Sequence, residues 1–314
     1  MNKLSTAFCK IAKIPRRTII LFSELASFLV YLGRKAVFRG RLPQLEPQYK
    51  IITGEIQNQG ACKTSLAHLD LPLNQKLVKA ASYLVSEFDL NSAALSLTSD
   101  RVAASSHRAF IDPMNIARDF PEILQWGLQQ PILDLVDNII GVPSTFVGLI
   151  LRKEILNEQQ IGTRLWHLDG EDHNTVKILV YLNDVELENG AFEYIPTSAA
   201  PFYLSFPGLN LLNFAYSDRQ MAKLIPASRW QACTGKAGTV IIANTSKVFH
   251  HGRVPQKDRY VLIYSYTSRQ PKRPSLCRQE TFRVALPHIE NVLEPHQKES
   301  IYDYAMMSAS REQQ

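Results

Sequence analysis

The sequence predicts an α+β protein, with helices in its first half and a β-sandwich or jelly roll in its second. Two observations predict it. Apolar residues recur at helical spacing in "LPLNQKLVKAASYLVSEF" (71–88) and "FPEILQWGLQQPILDLVDNIIG" (120–141). From residue 144 the rhythm shortens to β-branched and aromatic runs bounded by turn residues, at 144–155, 175–185, 190–196, 238–244 and 259–268. At 314 residues the chain can bury a substantial core as one large domain with an appendage.

The appendage is residues 1–42. The chain carries a formal charge of +6, but nine of its Lys/Arg side chains and only one acid, Glu24, fall within residues 1–41. The remainder is close to neutral and offers no basic face of the kind that nucleic-acid backbones require. Cys9, Cys62, Cys233 and Cys277 are widely spaced without a Cys-x-x-Cys pair, which suits reduced thiols in a cytoplasmic protein. Inside the arm, "TIILFSELASFLVYLG" (18–33) is shorter than the roughly 20 residues of a bilayer span and is interrupted by Glu24. No small-residue cleavage site clearly follows it, against a signal peptide. It is expected to be a helix packed on the main domain. The alternative is an interfacial helix whose Arg16, Arg17, Arg34 and Lys35 meet anionic lipid, making residues 16–41 a peripheral membrane contact.

Residues 43–70 are polar and turn-rich and read as a linker; the main domain then covers 71–290, and 291–314 is a polar tail. Asn74 suits the N-cap of the first helix of that domain. The 120–141 helix is a single element or a pair broken near Pro131, because proline lacks the amide that a helix interior needs. Asn189-Gly190 signals a tight type I′ turn, in which both central residues need positive φ. The stretch 197–237 is long for a plain connection and reads as a lid over a pocket or an extra helical layer. In "TVKILVYLN" period two puts Val176, Ile178, Val180 and Leu182 on one aliphatic face, expected to meet the helices. Lys177, Leu179, Tyr181 and Asn183 take the other and line the interior.

His-Leu-Asp occurs twice, at His68/Asp70 and at His167/Asp169. The first copy precedes a helix without a second ligand cluster at a useful distance, so it reads as a polar helix entrance. The second sits on an extended segment, where residues i and i+2 share a face. Farther on, "TSKVFHHGRVPQKDRY" supplies a third ligand, His250 or His251, and then Arg259. Two histidines and one carboxylate on one side of a metal, with open positions opposite, are the facial triad of non-haem Fe(II) oxygenases. A structural zinc site would be closed, usually by cysteines, and none is near in sequence. Trp166 reads as packing, and Glu171, Asp172 and His173 as a solvated loop in which His173 is a competing ligand.

The series "WHLDG", "VKILVYLNDVELENGAFEYIP", "GTVIIANTSKVFHHG" and "RYVLIYSYT" resembles the Fe(II)/2-oxoglutarate-dependent dioxygenases, most closely the phytanoyl-CoA dioxygenase-like branch, over about 144–268. The resemblance implies a double-stranded β-helix (jelly roll) core with flanking N-terminal helices. It implies Fe(II) held by His167, Asp169 and a distal histidine, with 2-oxoglutarate and O2 as cosubstrates. The family's His-Xaa-Gly pattern selects His250, followed by Gly252, and leaves His251 outside the ligand set. Arg259 is implied to receive the far carboxylate of 2-oxoglutarate, which a planar guanidinium grips through two hydrogen bonds. Lys177 or Tyr181 would hydrogen-bond 2-oxoglutarate or substrate; the alternatives are a lysine reaching solvent and a core tyrosine with a satisfied hydroxyl.

Halogenating relatives replace the carboxylate ligand by a small residue, whereas Asp169 is present here, so hydroxylation or another oxidation of a small-molecule or lipid-like substrate is expected. Where many members read Pro-Gly-Ser-His after the hairpin, this chain reads Pro-Thr-Ser-Ala at 196–199, which separates its lid and substrate from theirs. Two other classes compete: a non-catalytic jelly-roll binding protein and a zinc-dependent hydrolase.

Overall fold

The computed structural model describes residues 16–90, 108–111, 116, 118–200, 215–277 and 290–301. Cys9, His288, residues 201–214 of the expected lid and the tail from 302 lie outside them. In chain order the elements that build the site are α1 (Arg16–Phe38), α2 (Pro47–Gln59), β1 (Ala61–Ser65), α3 (Leu66–Leu69), α4 (Asn74–Leu90) and β2 (Arg108–Ile111). There follow α5 (Pro121–Gly127), α6 (Gln130–Ile140), β3 (Ser144–Glu154), β4 (Val176–Tyr181), β5 (Phe192–Tyr194) and α7 (Asp218–Leu224). The last strands are β6 (Gln231–Cys233), β7 (Thr239–Asn244), β8 (His250–Gly252) and β9 (Tyr260–Ser268).

The strands make two antiparallel sheets, a six-stranded one in the order β1-β7-β4-β9-β3-β2 and a three-stranded one in the order β6-β5-β8. Period two then sorts their side chains. Val176, Ile178 and Val180 of β4 pack with Trp126, Ile132 and Val136 of the helices in the larger core, with Leu182 at its edge. Leu179 and Tyr181 turn the other way and meet Ile241, Val261 and Ile263 from the same sheet and Phe192, Tyr194 and Cys233 from the smaller one. The space between the sheets is therefore filled by a second, separate core.

Strand β3 carries a register shift between Phe146 and Gly148, after which Ile150 stands opposite Ile263 and Arg152 opposite Val261. Directly opposed residues share a face, so Arg152 points between the sheets, and Glu154, opposite Arg108, does the same. The bulge thus re-aims the end of the strand.

Three expectations change on contact with the structure. Residues 43–70 are no linker: α2 buries Tyr49, Ile52, Thr53 and Ile56 along one face, and β1 pairs with β7 to close an edge of the larger sheet. Asn189-Gly190 is no type I′ hairpin, because β4 and β5 belong to different sheets and the chain must cross between them. A 3₁₀ turn over Leu187–Asn189, with a reciprocal Glu186–Asn189 cap, makes the crossing, and only Gly190 takes a positive φ, of 73°. Asn74 opens α4, yet its side chain works at long range, donating to the Leu66 carbonyl and accepting from Trp126 Nε1.

Apolar spacing does locate the helices of the first half. The 120–141 segment is a pair, α5 and α6, with Pro131 in the first turn of the second. The described part of the long insert supplies α7 and β6, and Met221 and Ile225 pack with Trp166, Ile195 and Phe249 as an added layer. The described part of the arm holds a 23-residue helix, α1, seated on the body through Glu24, Ser27 and Tyr31. Among the described residues no helix is long and apolar enough to cross a membrane.

Gly60 joins α2 to β1 at a φ of 85°, and a Cβ there would come within 2.1 Å of Val248 Cγ1. Left-handed backbone strain and the clash with a buried valine add. Gly60→Ala is expected to lower stability by about 2 kcal/mol or more, read as the shift in the urea unfolding midpoint at constant slope.

Candidate metal centre

The site is assembled by backbone pairing before any side chain acts. His167 and His250 form an isolated antiparallel bridge, each amide donating to the other's carbonyl at 3.1 Å. Two residues on, the Asp169 amide donates to the Thr245 carbonyl. His167 and Asp169 therefore share a face, and β8 delivers His250 onto it from the smaller sheet. One ligand atom from each of His167, Asp169 and His250 lies within 4.8 Å of the other two.

The imidazoles are oriented by their far nitrogens. His167 Nδ1 is 2.7 Å from the Leu165 carbonyl and His250 Nδ1 is 3.1 Å from the Val248 carbonyl. A carbonyl only accepts, so each ring carries its proton on Nδ1 and presents the Nε2 lone pair, the tautomer that a metal ligand needs. The Nε2 atoms stand 3.8 Å and 3.6 Å from the Asp169 carboxylate, beyond hydrogen-bond reach. Burial lowers the proton affinity of both rings, and pushes His250 down to about 3. Both are neutral at physiological pH.

Burial would raise the Asp169 carboxyl, but the Lys177 ammonium, 2.6 Å from Oδ2, reverses this and holds it well below the usual carboxylate range. Lys177 itself is raised against its own burial by Asp169 and by Glu171 at 3.9 Å. Two neutral imidazole nitrogens and one ionised carboxylate oxygen suit a divalent transition ion.

Two neighbouring histidines have their rings engaged elsewhere. His251 is buried and stacked on Trp166 with ring centroids 3.9 Å apart, Nδ1 lies 2.9 Å from the Arg164 carbonyl and Nε2 2.9 Å from Glu193 Oε2. It has no nitrogen left for a metal. His173 faces the arm through Ser27 Oγ at 2.9 Å. The 171–173 segment is not a solvated loop: Asp172 is buried, accepting from the Ser268 and Lys272 amides. His68 and Asp70 sit in and after α3, apart from the cluster.

Arg259 lies in a second charged group that spacing alone did not reveal. Its Nη2 donates to Glu154 Oε1 at 2.8 Å, Arg152 Nη2 reaches the same oxygen at 2.7 Å, and Arg164 Nη2 is 3.5 Å from Oε2. All four side chains are buried. The Nε and Nη1 of Arg259 and the Nε of Arg152 have no hydrogen-bond partner. Three guanidiniums share one carboxylate, which leaves donors and positive charge for an anion. Glu154 is held down to about 2 by Arg152 and Arg259 despite burial. The clue was present in "LRKE" of β3, where Arg152 and Glu154 alternate with Leu151 and Lys153 and so share a face. Tyr181 lies near this group, but its hydroxyl is satisfied, donating to the Cys233 carbonyl at 2.9 Å and accepting from the Phe192 amide at 3.0 Å.

No protein-family model matches the chain, and no curated protein matches it. Among solved structures it is similar to HygX from Streptomyces hygroscopicus with nickel and 2-oxoglutarate bound, at 16% identity over 72% of this chain and 88% of that one, TM-score 0.45. It is also similar to the epimerase SnoN in complex with Fe3+, alpha ketoglutarate and nogalamycin RO, at 14% identity over 70% of this chain and 83% of that one, TM-score 0.45. A third is EctD from S. alaskensis with bound Fe, at 17% identity over 70% and 78%, TM-score 0.44.

Removing the shared counter-ion of the arginines is expected to be costly. Glu154→Gln leaves buried guanidiniums uncompensated and is expected to lower stability by about 3 kcal/mol or more at neutral pH. The native carboxyl sits below its ordinary value of 4.5, so its stabilisation is complete above that value and is lost as pH falls through about 2. Unfolding curves of the two proteins should therefore converge over this acidic window.

Proposed function

We propose that this chain is an Fe(II)- and 2-oxoglutarate-dependent oxygenase of the phytanoyl-CoA dioxygenase-like branch, built on a double-stranded β-helix. It would hydroxylate a small-molecule or lipid-like substrate with release of succinate and carbon dioxide. The observation that carries the proposal is the convergence of two Nε2 lone pairs and one ionised carboxylate on a common point, in a chain that also buries unsatisfied guanidinium donors.

His167, Asp169 and His250 would hold the iron on one side, and bound iron with 2-oxoglutarate would supply the redox chemistry that activates O2. The protein's own part is positional. Arg259 keeps Nε and Nη1 unpartnered, so buried charge and donors remain for a carboxylate, while Glu154 fixes the guanidinium through Nη2. Gly252 gives that guanidinium its room, since a Cβ there would stand 3.0 Å from Nη2. Arg152 adds charge beside it. Lys177 keeps Glu171 as a second partner when Asp169 is engaged. Tyr181 acts as a strut between strands, because its hydroxyl is already committed.

Anaerobic addition of Fe(II) and then 2-oxoglutarate is expected to give a visible charge-transfer band that His167→Ala, Asp169→Ala and His250→Ala each abolish. Arg259→Ala should weaken 2-oxoglutarate by about a hundredfold, the worth of a lost hydrogen bond between charged partners. In air the wild type should form succinate from 2-oxoglutarate. Absence of both band and succinate would leave a binding protein; hydrolytic turnover without O2 or 2-oxoglutarate would mean a zinc hydrolase.

A further inference from the structure

Helix α1 is amphipathic in the wrong sense for a water-facing element. Its inward side carries the polar residues: Glu24 pairs with Lys272 at 3.0 Å and Arg273 at 3.6 Å, Ser27 meets His173, and the Tyr31 hydroxyl meets Asn174 and the Ile140 carbonyl. Its outward side carries Phe22, Leu25, Leu29, Val30, Leu32 and Val37, with Phe22 and Val30 66% and Leu29 59% exposed. From Phe22 to Gly33 the sole charged residue is Glu24, and it is turned in and neutralised. The outward face is thus free of charge over three turns. A contiguous apolar surface of this kind marks an interaction site.

The sequence is basic on both sides of that stretch: Arg16 and Arg17 open the helix, and Arg39 and Arg41, exposed, follow its end. A second copy laid along the helix in either direction would bring like charges together at its ends. An anionic bilayer surface satisfies the apolar face and both basic ends at once, with the helix lying in the interface plane.

The same helix is bonded to the segment that carries Asp169. His173 and Asn174, its partners, lie four and five residues beyond Asp169, the Arg273 amide donates to the Glu171 carbonyl, and Lys247 stands 5.7 Å over the Phe28 ring, three residues before His250. We infer that α1 docks the protein on anionic membranes through its outward apolar face, and that the adjoining site takes an amphiphile held in the bilayer. The docking is independent of the oxygenase proposal; the choice of substrate class rests on it.

The test is flotation of the full chain with phosphatidylcholine vesicles containing about a third phosphatidylserine, against phosphatidylcholine alone, with the charge-transfer band recorded on the same samples. Partition into the anionic vesicles is expected, falling with added salt. Phe22→Glu combined with Leu29→Glu should reduce it about a hundredfold, each lost side-chain insertion being worth about tenfold or more, without moving the thermal midpoint or the band. Failure to partition, partition indifferent to the substitutions, or a lipid-free dimer by light scattering that the same substitutions dissociate would each overturn the docking. A band without partition removes the docking alone; partition without a band removes the oxygenase alone.

Discussion

The site depends on two backbone hydrogen bonds. The reciprocal pair between His167 and His250 ties the segment ahead of β4 to the smaller sheet; side-chain chemistry only elaborates what that bridge sets. With the bridge in place, the period of an extended chain puts Asp169 on the face of His167 and turns His251 away from His250. Each ring's Nδ1 then finds a carbonyl two residues back, at Leu165 and Val248. One geometric fact therefore fixes which residues converge, which nitrogens they present and which tautomer they hold.

The interior between the sheets is polarised. Around the convergence point lie Asp169 and Glu171 with Lys177, and toward the end of β3 lie Arg152, Arg164 and Arg259 with Glu154. Neither group closes on itself. The first has ligand lone pairs turned toward one point, and the second has guanidinium nitrogens without partners. Burying such groups costs several kcal/mol apiece unless something completes them. Burial, countered by Glu154, pushes Arg152 down to about 10, with the neighbouring guanidiniums adding to the fall. A cation at one end and a carboxylate at the other would relieve both, and a keto acid that chelates a metal while its far carboxylate reaches an arginine has that shape.

Much of this was legible in the sequence, and what was not has physical causes. His167 and Asp169 could be paired because i and i+2 share a face on any extended segment, and the two faces of β4 followed from the same rule. His250 against His251 could not be decided by spacing, since either could face inward; the decision lies in Glu193 and the Arg164 carbonyl, which occupy His251 from other parts of the chain. Residues 43–70 looked like a linker because β1, "ACKTS", is short and polar as edge strands are, and its strand character comes from pairing with β7. Asn189-Gly190 misled because turn chemistry reports local φ and not whether the flanking strands pair. Glu154 was hidden because a charged residue near a strand end is ordinarily solvated; only the β3 register and the guanidiniums around it reveal a buried carboxylate.

The three candidate ligand residues span 84 positions, from His167 to His250, so the unfolded chain holds no comparable cluster. Any ion that binds there binds the native state almost exclusively, and its binding free energy is folding free energy. The segment from Asp169 to Asn174 shows where that coupling is strongest. One end of it carries the candidate ligand Asp169, the middle carries Glu171 against Lys177 and Asp172 against the Ser268 and Lys272 amides, and the far end joins Tyr31 and Asn244. Six consecutive residues thus connect the candidate metal centre, the larger sheet and the arm. Every residue of this segment but Gly170 is tied by its side chain to another part of the molecule, so seating the arm and setting the Asp169 carboxylate are parts of one packing problem.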